Sequence, residues 1–176
     1  FVIEADEYDR TFLGLRPQVA VVTNVEMDHP DCYPTYGDVQ AAFTAFLAGV
    51  REGGWVVACA DDPGVAALLP GLPAGRRVLR YGLGPEGDLR AEAVSLAGLP
   101  SFELVSDGRR AERFDLRVPG LHNVQNALAT LGVAQALGIP EAVTHRALAS
   151  YTGVARRFEL KGEAHGITVL DDYAHH

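Results

Sequence analysis

Lysine is almost absent from this chain. Lys161 is the only one in 176 residues, and the arginines that make up the rest of the basic complement are scattered. A formal net charge of -8 with no basic run argues against nucleic acid as a partner, because phosphate backbones are held by clustered Lys and Arg. Cysteine is nearly as scarce: Cys32 and Cys59 lie far apart with no CxxC spacing. Neither a zinc site nor a disulfide framework is indicated, and a reducing cytoplasm is the expected location. No apolar run approaches the roughly 20 residues needed to span a bilayer, so no membrane role is expected, and no signal peptide, repeat or low-complexity stretch is visible. The chain opens on Phe1 without an initiator Met and stops at His176 inside a polar cluster, so we expect an internal piece of a longer protein.

What the chain does have is apolar residues, 48% of the total, enough for a well-buried core at this length. The organising stretch is V-A-V-V-T-N-V-E-M-D-H-P-D, residues 19–31. Its first half is an unbroken apolar run, expected to be a strand buried on both faces of a helix-covered parallel sheet. Its second half turns polar, crowding Thr23, Asn24, Glu26, Asp28, His29 and Asp31 past the strand's carboxyl end. In open α/β sheets ligands bind at that edge.

Upstream, residues 1–5 (F-V-I-E-A) read as the end of a buried strand running into the acidic turn D-E-Y-D, with Glu4, Asp6, Glu7 and Asp9 close together. Carboxylates at a strand end suit magnesium, and a solvated acidic loop is the plain alternative. Downstream, residues 38–50 form an amphipathic helix, with Val39, Ala42, Phe43, Phe46, Leu47 and Val50 in one stripe and Asp38 as its cap. A strand at 55–60, a short helix at 65–69 and a strand at 77–81 continue the alternation of a doubly wound fold.

The period then changes to two in residues 89–96, 101–106 and 111–118, around an Asp107-Gly108 turn, which predicts a small antiparallel sheet appended to the parallel one. Helices are expected at 124–137 and 140–150, the first stopped by Gly138. L-H-N-V-Q-N at the start of the first helix puts Asn123 and Asn126 on one face, although Asn123 taken alone reads first as an N-cap. Residues 151–157 read as a linker, with a domain boundary near Gly153 that separates 1–152 from 153–176, and residues 158–160 and 167–171 as a hairpin. The fold class is therefore α/β, a parallel sheet with helices on both faces plus a small antiparallel subsheet.

Five separated motifs, E-A-D-E-Y-D, T-N-V-E-M-D-H, H-N-V-Q-N, R-R-F and D-D-Y-A-H-H, occur in this order, and together they make the chain resemble the Mur ligases, the ATP-dependent amide ligases of peptidoglycan synthesis. The likeness is nearest in the branch that joins L-alanine to UDP-N-acetylmuramate. It implies a central ATPase domain of the P-loop type and, after residue 153, the start of a Rossmann-like amino-acid-binding domain. The phosphate loop and the UDP-sugar domain would then precede Phe1, and the 176 residues alone are expected to bind ATP poorly and to show no ligase activity.

Position by position, the resemblance implies ATP and Mg2+ as cofactors. Glu4 and His29 match magnesium ligands, Asn123 and Asn126 the pair near adenine, and Arg157 and Asp172 the residues that reach the nucleotide from the interdomain joint and the far side of the cleft. Thr23 and Asn24 fall beside the substrate, and Tyr173 and His175 near the incoming amino acid. The implied chemistry is phosphorylation of a carboxylate to an acyl phosphate that an amine then attacks; such transfer needs charge neutralised and atoms aligned. Two features depart from the family's pattern. Pro30 follows the histidine where Met or Leu is commoner, and no lysine is placed to be the carbamylated magnesium bridge of the sister ligases, which favours the L-alanine branch.

Three alternatives remain open on the sequence. A recycling ligase that attaches a tripeptide shares much of this framework. Asp28, His29, Asp171, Asp172, His175 and His176 could serve a metal-dependent hydrolase. The polar residues could also be caps and turns of an inert nucleotide-fold module.

Overall fold

The structure is a computed structural model that describes residues 1–174, with the backbone alone at positions 111 and 112. Its main body is one six-stranded sheet in sequence order, β1 (Val19–Val22), β2 (Trp55–Cys59), β3 (Arg77–Gly82), β4 (Leu89–Ser95), β5 (Ser101–Ser106) and β6 (Arg109–Asp115). β1 to β4 run parallel, and β5 and β6 complete the sheet antiparallel.

Helices α1 (Tyr36–Ala48) and α2 (Pro63–Leu68) make the first two crossovers. Because such crossovers are right-handed and both step in the same direction, they lie on the same face of the sheet. The other face is covered by α3 (Leu121–Ala136), which returns from β6 to pack on β2, β3 and β4, and α4 (Glu141–Ser150) packs beside it.

Alternation along β2 divides the core accordingly. Val56 and Ala58 meet Ala20, Val22, Val39, Phe46, Leu47 and Val65 on the α1–α2 side. Val57 and Cys59 meet Leu79, Tyr81, Leu89, Val124, Leu128 and Leu131 on the α3 side. A Cβ at Gly132 would lie 2.8 Å from Val57 Cγ1 and 3.0 Å from Leu79 Cδ2, so the glycine is what lets α3 approach the sheet so closely.

Several expectations are corrected by the local physics. Residues 1–5 form no strand and expose Phe1, Val2 and Ile3. Among the described residues only β2 borders β1, and α3 reaches β1 less than it reaches β2 and β3, so Val21 is 40% exposed rather than buried. Burial on both faces belongs to β2 instead. Helix α1 starts earlier than read, with Thr35 as its N-cap and Asp38 as the reciprocal partner of a capping box: Thr35 N donates to Asp38 Oδ2 at 2.9 Å, and Asp38 N to Thr35 Oγ1 at 3.3 Å. The Thr35 hydroxyl and N–H hold the Asp38 carboxyl below the usual carboxylate range.

The small antiparallel subsheet is appended to the parallel one as expected, and β4 makes the join, pairing parallel with β3 through Tyr81–Leu89 and antiparallel with β5. Asp107 and Gly108 both take positive φ, 50° and 71°, the two-residue turn that fits the twist of a hairpin. A second, two-stranded sheet, β7 (Glu159–Ala164) with β8 (Ile167–Asp171), follows the irregular segment after Tyr151 and leaves Leu160, Ile167 and Val169 exposed.

Leu128→Ala, at a fully buried point of the α3 face, is expected to cost about 2–5 kcal/mol. Thr35→Ala is expected to cost about 1 kcal/mol through the lost cap. Urea denaturation monitored by circular dichroism checks both, as lower midpoints at unchanged slope.

Candidate functional site

The carboxyl end of β1 is held by a few polar contacts. Asp62 accepts from Val65 N at 2.7 Å, capping α2, and from Val25 N at 3.3 Å. Tyr36 donates its hydroxyl to the Val25 carbonyl at 3.2 Å, and that carbonyl would lie 2.6 Å from a Cβ on Gly64. Val25 is thus buried and fixed, which leaves Thr23 and Asn24 on one side of it and residues 26–29 on the other.

On the second side His29 adopts a left-handed φ of 51°. Its backbone N–H donates to Asp28 Oδ1 at 2.7 Å, and its Nε2 lies 3.3 Å from Glu7 Oε1 and 3.7 Å from Asp28 Oδ2. The Glu7 segment is tied to the same loop by Tyr33, whose hydroxyl donates to the Glu7 carbonyl at 2.6 Å, while the His29 carbonyl accepts from Cys32 and Tyr33 N–H at 2.9 Å each. The Tyr8 ring meets the imidazole edge-on at 5.2 Å.

Glu7, Asp28 and His29 can each turn one ligand atom to within 4.8 Å of the others, and all three side chains are partly buried. They form the one such group of three among the described residues. Two carboxylates and an imidazole at a strand-end rim form a donor set that suits Mg2+ or Mn2+. The structure brings Glu7 to His29, whereas Glu4 lies in the exposed, irregular residues 1–5 and outside the trio.

On the first side a cleft of about 370 Å³ opens between the carboxyl ends of the strands and the start of α3, lined by residues that include Thr23, Asn24, Asp61, His122, Gln125 and Asn126. Thr23 donates to Asn24 Oδ1 at 2.9 Å, and Asn24 Nδ2 to Glu26 Oε1 at 2.6 Å, so one polar chain runs from the cleft back along the loop that carries His29. Asp61 ties the floor together, accepting from Leu83 N at 2.8 Å, Gly84 N at 3.1 Å and Gln125 Nε2 at 2.9 Å. Burial pushes the Cys59 thiol and the Tyr81 phenol up from their ordinary values, so both stay neutral around neutral pH.

Asn123 is not an N-cap. Helix α3 starts at Leu121 after Gly120, whose φ of 97° and closeness to the His122 ring favour glycine. Asn123 therefore sits in the first turn, donating Nδ2 to the Pro119 carbonyl at 2.7 Å and accepting from Asn126 Nδ2 at 3.3 Å. The two asparagines do share a face, and Asn126 reaches the cleft.

The sequence places Glu7 among four candidate acids of the 4–9 turn without singling it out, and it does not point to Asp61, His122 or Gln125 in the cleft. The i, i+3 spacing of His122 and Gln125 within L-H-N-V-Q-N was the available signal for two of them. Asp61 falls between the strand at 55–60 and the short helix at 65–69, where an aspartate reads as turn chemistry.

Arg157, Asp172 and Tyr173 gather around the second sheet. Asp172 accepts from Phe158 N at 2.7 Å and Ala174 N at 2.8 Å, and these N–H groups hold its carboxyl below the usual range. The Arg157 guanidinium lies 5.7 Å from the Tyr173 ring centre. His175 lies outside the described residues, as does His176. Asp171 pairs with Lys161 Nζ at 3.6 Å, so the ligand set of the hydrolase alternative is divided, with Asp28 and His29 in the rim trio and Asp171 and Asp172 at the end of β8.

Residues 1–134 match the Mur ligase middle domain. The chain belongs to the Mur ligase family. It is 48% identical over 176 residues, 99% of its length, to the UDP-N-acetylmuramate–L-alanine ligase of Salinibacter ruber, and 45% identical over 176 residues to the ligase of the same name from Sorangium cellulosum. It spans 37% of the length of each of these curated relatives. Among solved structures, the UDP-N-acetylmuramate-alanine ligase MurC of Thermotoga maritima superposes with a TM-score of 0.78 at 28% identity, over 95% of this chain and 37% of that one. MurF of Acinetobacter baumannii gives a TM-score of 0.79 at 22% identity over 92% of this chain and 35% of that one, a likeness of fold alone. Within the family, then, the trio and the cleft occupy the carboxyl-end rim of a middle-domain sheet.

Loss of a direct ligand should cost at least the tenfold that loss of an outer-shell partner costs. His29→Ala and Glu7→Gln are each expected to weaken Mn2+ binding by about tenfold or more, read from the free-ion electron paramagnetic resonance signal.

Proposed function

We propose that this chain is part of an ATP-dependent ligase that joins L-alanine to UDP-N-acetylmuramate in peptidoglycan synthesis, in the cytoplasm. Residues 1–152 would belong to its central ATP-binding domain, and residues 153–176 would form the link and the start of its amino-acid-binding domain. The observation that carries the reading is the convergence of Glu7, Asp28 and His29 on one point at the carboxyl rim of a parallel sheet, in a chain whose relatives carry that ligase name along its whole length.

His29 with the acids of the 4–9 turn would hold Mg2+, Glu7 by its contact with the imidazole and Glu4 by its place in the motif. Bound there, the cation would supply positive charge against a phosphate chain and help align it for in-line transfer. The protein's own part is mostly positional. Asn123 and Asn126, one hydrogen bond apart at the start of α3, would meet the adenine edge through Asn126. Thr23 and Asn24 would present hydroxyl and amide groups to the acceptor substrate.

Arg157 would bring a guanidinium to the nucleotide from the joint. Asp172, kept ionised around neutral pH by two backbone N–H donors, would reach it from the other side, with Tyr173 and His175 near the amino acid. No described helix is long and apolar enough to cross a membrane, which is consistent with small water-borne substrates.

In the complete enzyme, His29→Ala is expected to lower L-alanine-dependent ADP formation on UDP-N-acetylmuramate by about 100-fold or more in kcat/KM, with Glu4→Gln also impaired. An unchanged rate in His29→Ala would favour the inert module, and turnover with tripeptide but not L-alanine would reassign the acceptor.

A further inference from the structure

The amino end of the same sheet carries a second polar feature, of opposite charge. Arg16 precedes β1, Arg51 precedes β2 and Arg76 precedes β3. Because these strands are parallel, all three arginines emerge on one edge. There they line a groove of about 650 Å³ with Leu13, Ala45 and Ala48 at the end of α1.

Each guanidinium is anchored to backbone carbonyls. Arg16 donates to Leu13 and Leu15 at 3.1 and 2.8 Å, Arg51 to Arg16 at 3.0 Å, and Arg76 to Val50 at 3.0 Å, Ala74 at 3.0 Å and Ala48 at 3.4 Å. Carbonyls orient the forks, and those at the end of α1 favour cations there, but they occupy only part of the five N–H donors of each and carry no net charge to neutralise it.

Acids do not cancel it either. The ion pairs among the described residues use His29, Arg80, Arg90, Arg110, Arg113 and Lys161, and none uses Arg16, Arg51 or Arg76. In a sequence with 23 acidic residues against 15 Lys and Arg, what sets these three arginines apart is that they line one groove with no ion pair among the described residues to any of them.

We propose that this groove binds a compact, phosphate-bearing polyanion. Planar forks match phosphate oxygens two at a time, and their fixed anchoring lowers the ordering cost of binding. Three forks in one groove suit the closely spaced charges of a phosphate chain, where a lone carboxylate would engage a single fork. The volume lies in the range of small-molecule sites. The site lies at the edge opposite to the rim trio and the nucleotide cleft, so it would be occupied independently of them.

The test titrates tripolyphosphate, and in a parallel arm ADP, into 15N-labelled protein at low ionic strength, where such contacts are least screened. The side-chain Nε–H resonances of Arg16, Arg51 and Arg76 are expected to shift saturably at sub-millimolar concentration. Ala48→Glu, on the exposed last turn of α1, places a carboxylate among the guanidiniums and is expected to weaken the response at least tenfold with the amide spectrum otherwise native. Equal response to both compounds identifies the phosphate chain as the recognised group, and response to one alone names the source. Absence of any shift at these arginines up to 10-fold above that range, or an undiminished response in Ala48→Glu, overturns the proposal.

Discussion

The Asp62 carboxylate fixes the relation between the sheet and everything that gathers on its rim. By accepting from Val65 it starts α2, and by accepting from Val25 it holds the exit of β1 against that helix. Gly64 makes the contact close, because a side chain there would collide with the Val25 carbonyl and the Tyr36 hydroxyl. With Val25 fixed, the chain before it faces the cleft and the chain after it turns out toward Glu7. One buried joint therefore sets two polar clusters in register, and the left-handed backbone at His29 is held by the hydrogen bonds that its own carbonyl and N–H make to neighbours. Backbone strain of this kind persists where surrounding contacts over-determine it.

The two ends of the parallel strands show how one topology separates charges. Carboxyl ends carry Asp28, Asp61 and Asp62 together with amides and imidazoles, a rim suited to a cation and to groups that seek hydrogen bonds. Amino ends carry Arg16, Arg51 and Arg76. The clusters lie at opposite ends of the parallel strands, so each can be read as its own site. The second sheet, with Arg157 and Asp172 bonded within its own segment, holds another set of polar groups after the irregular stretch at Tyr151.

Much of this was legible in the sequence because it rests on periodicity. The apolar stripe of α1, the apolar run of β2 and the alternation around Asp107-Gly108 each name an element whose partners are close in sequence or whose faces are both buried. What was not legible depended on neighbours. The run F-V-I-E-A reads like a strand, yet backbone pairing decides whether it is one, and nothing among the described residues pairs with it. Val21 has the composition of a buried residue but sits where, among the described residues, one strand alone borders β1.

Within the site, D-H at residues 28–29 and the asparagine pair could be singled out from residue type and spacing. Which acid of Glu4, Asp6, Glu7 and Asp9 meets His29 could not, because that is fixed by Tyr33 and by the left-handed turn at Asp9 and Arg10. Asp61 was hidden for a related reason. A turn aspartate and a hub that joins three segments look alike until the segments are placed.

The central claim is that Glu7, Asp28 and His29 share one cation at the rim of the sheet. Anomalous diffraction from crystals of the protein grown with Mn2+ tests it most directly. The account predicts a single strong peak on this loop at about 2.2 Å from His29 Nε2 and from a carboxylate oxygen of Glu7 or Asp28. A fully occupied Mn2+ held elsewhere, with His29 outside its coordination sphere, would contradict it.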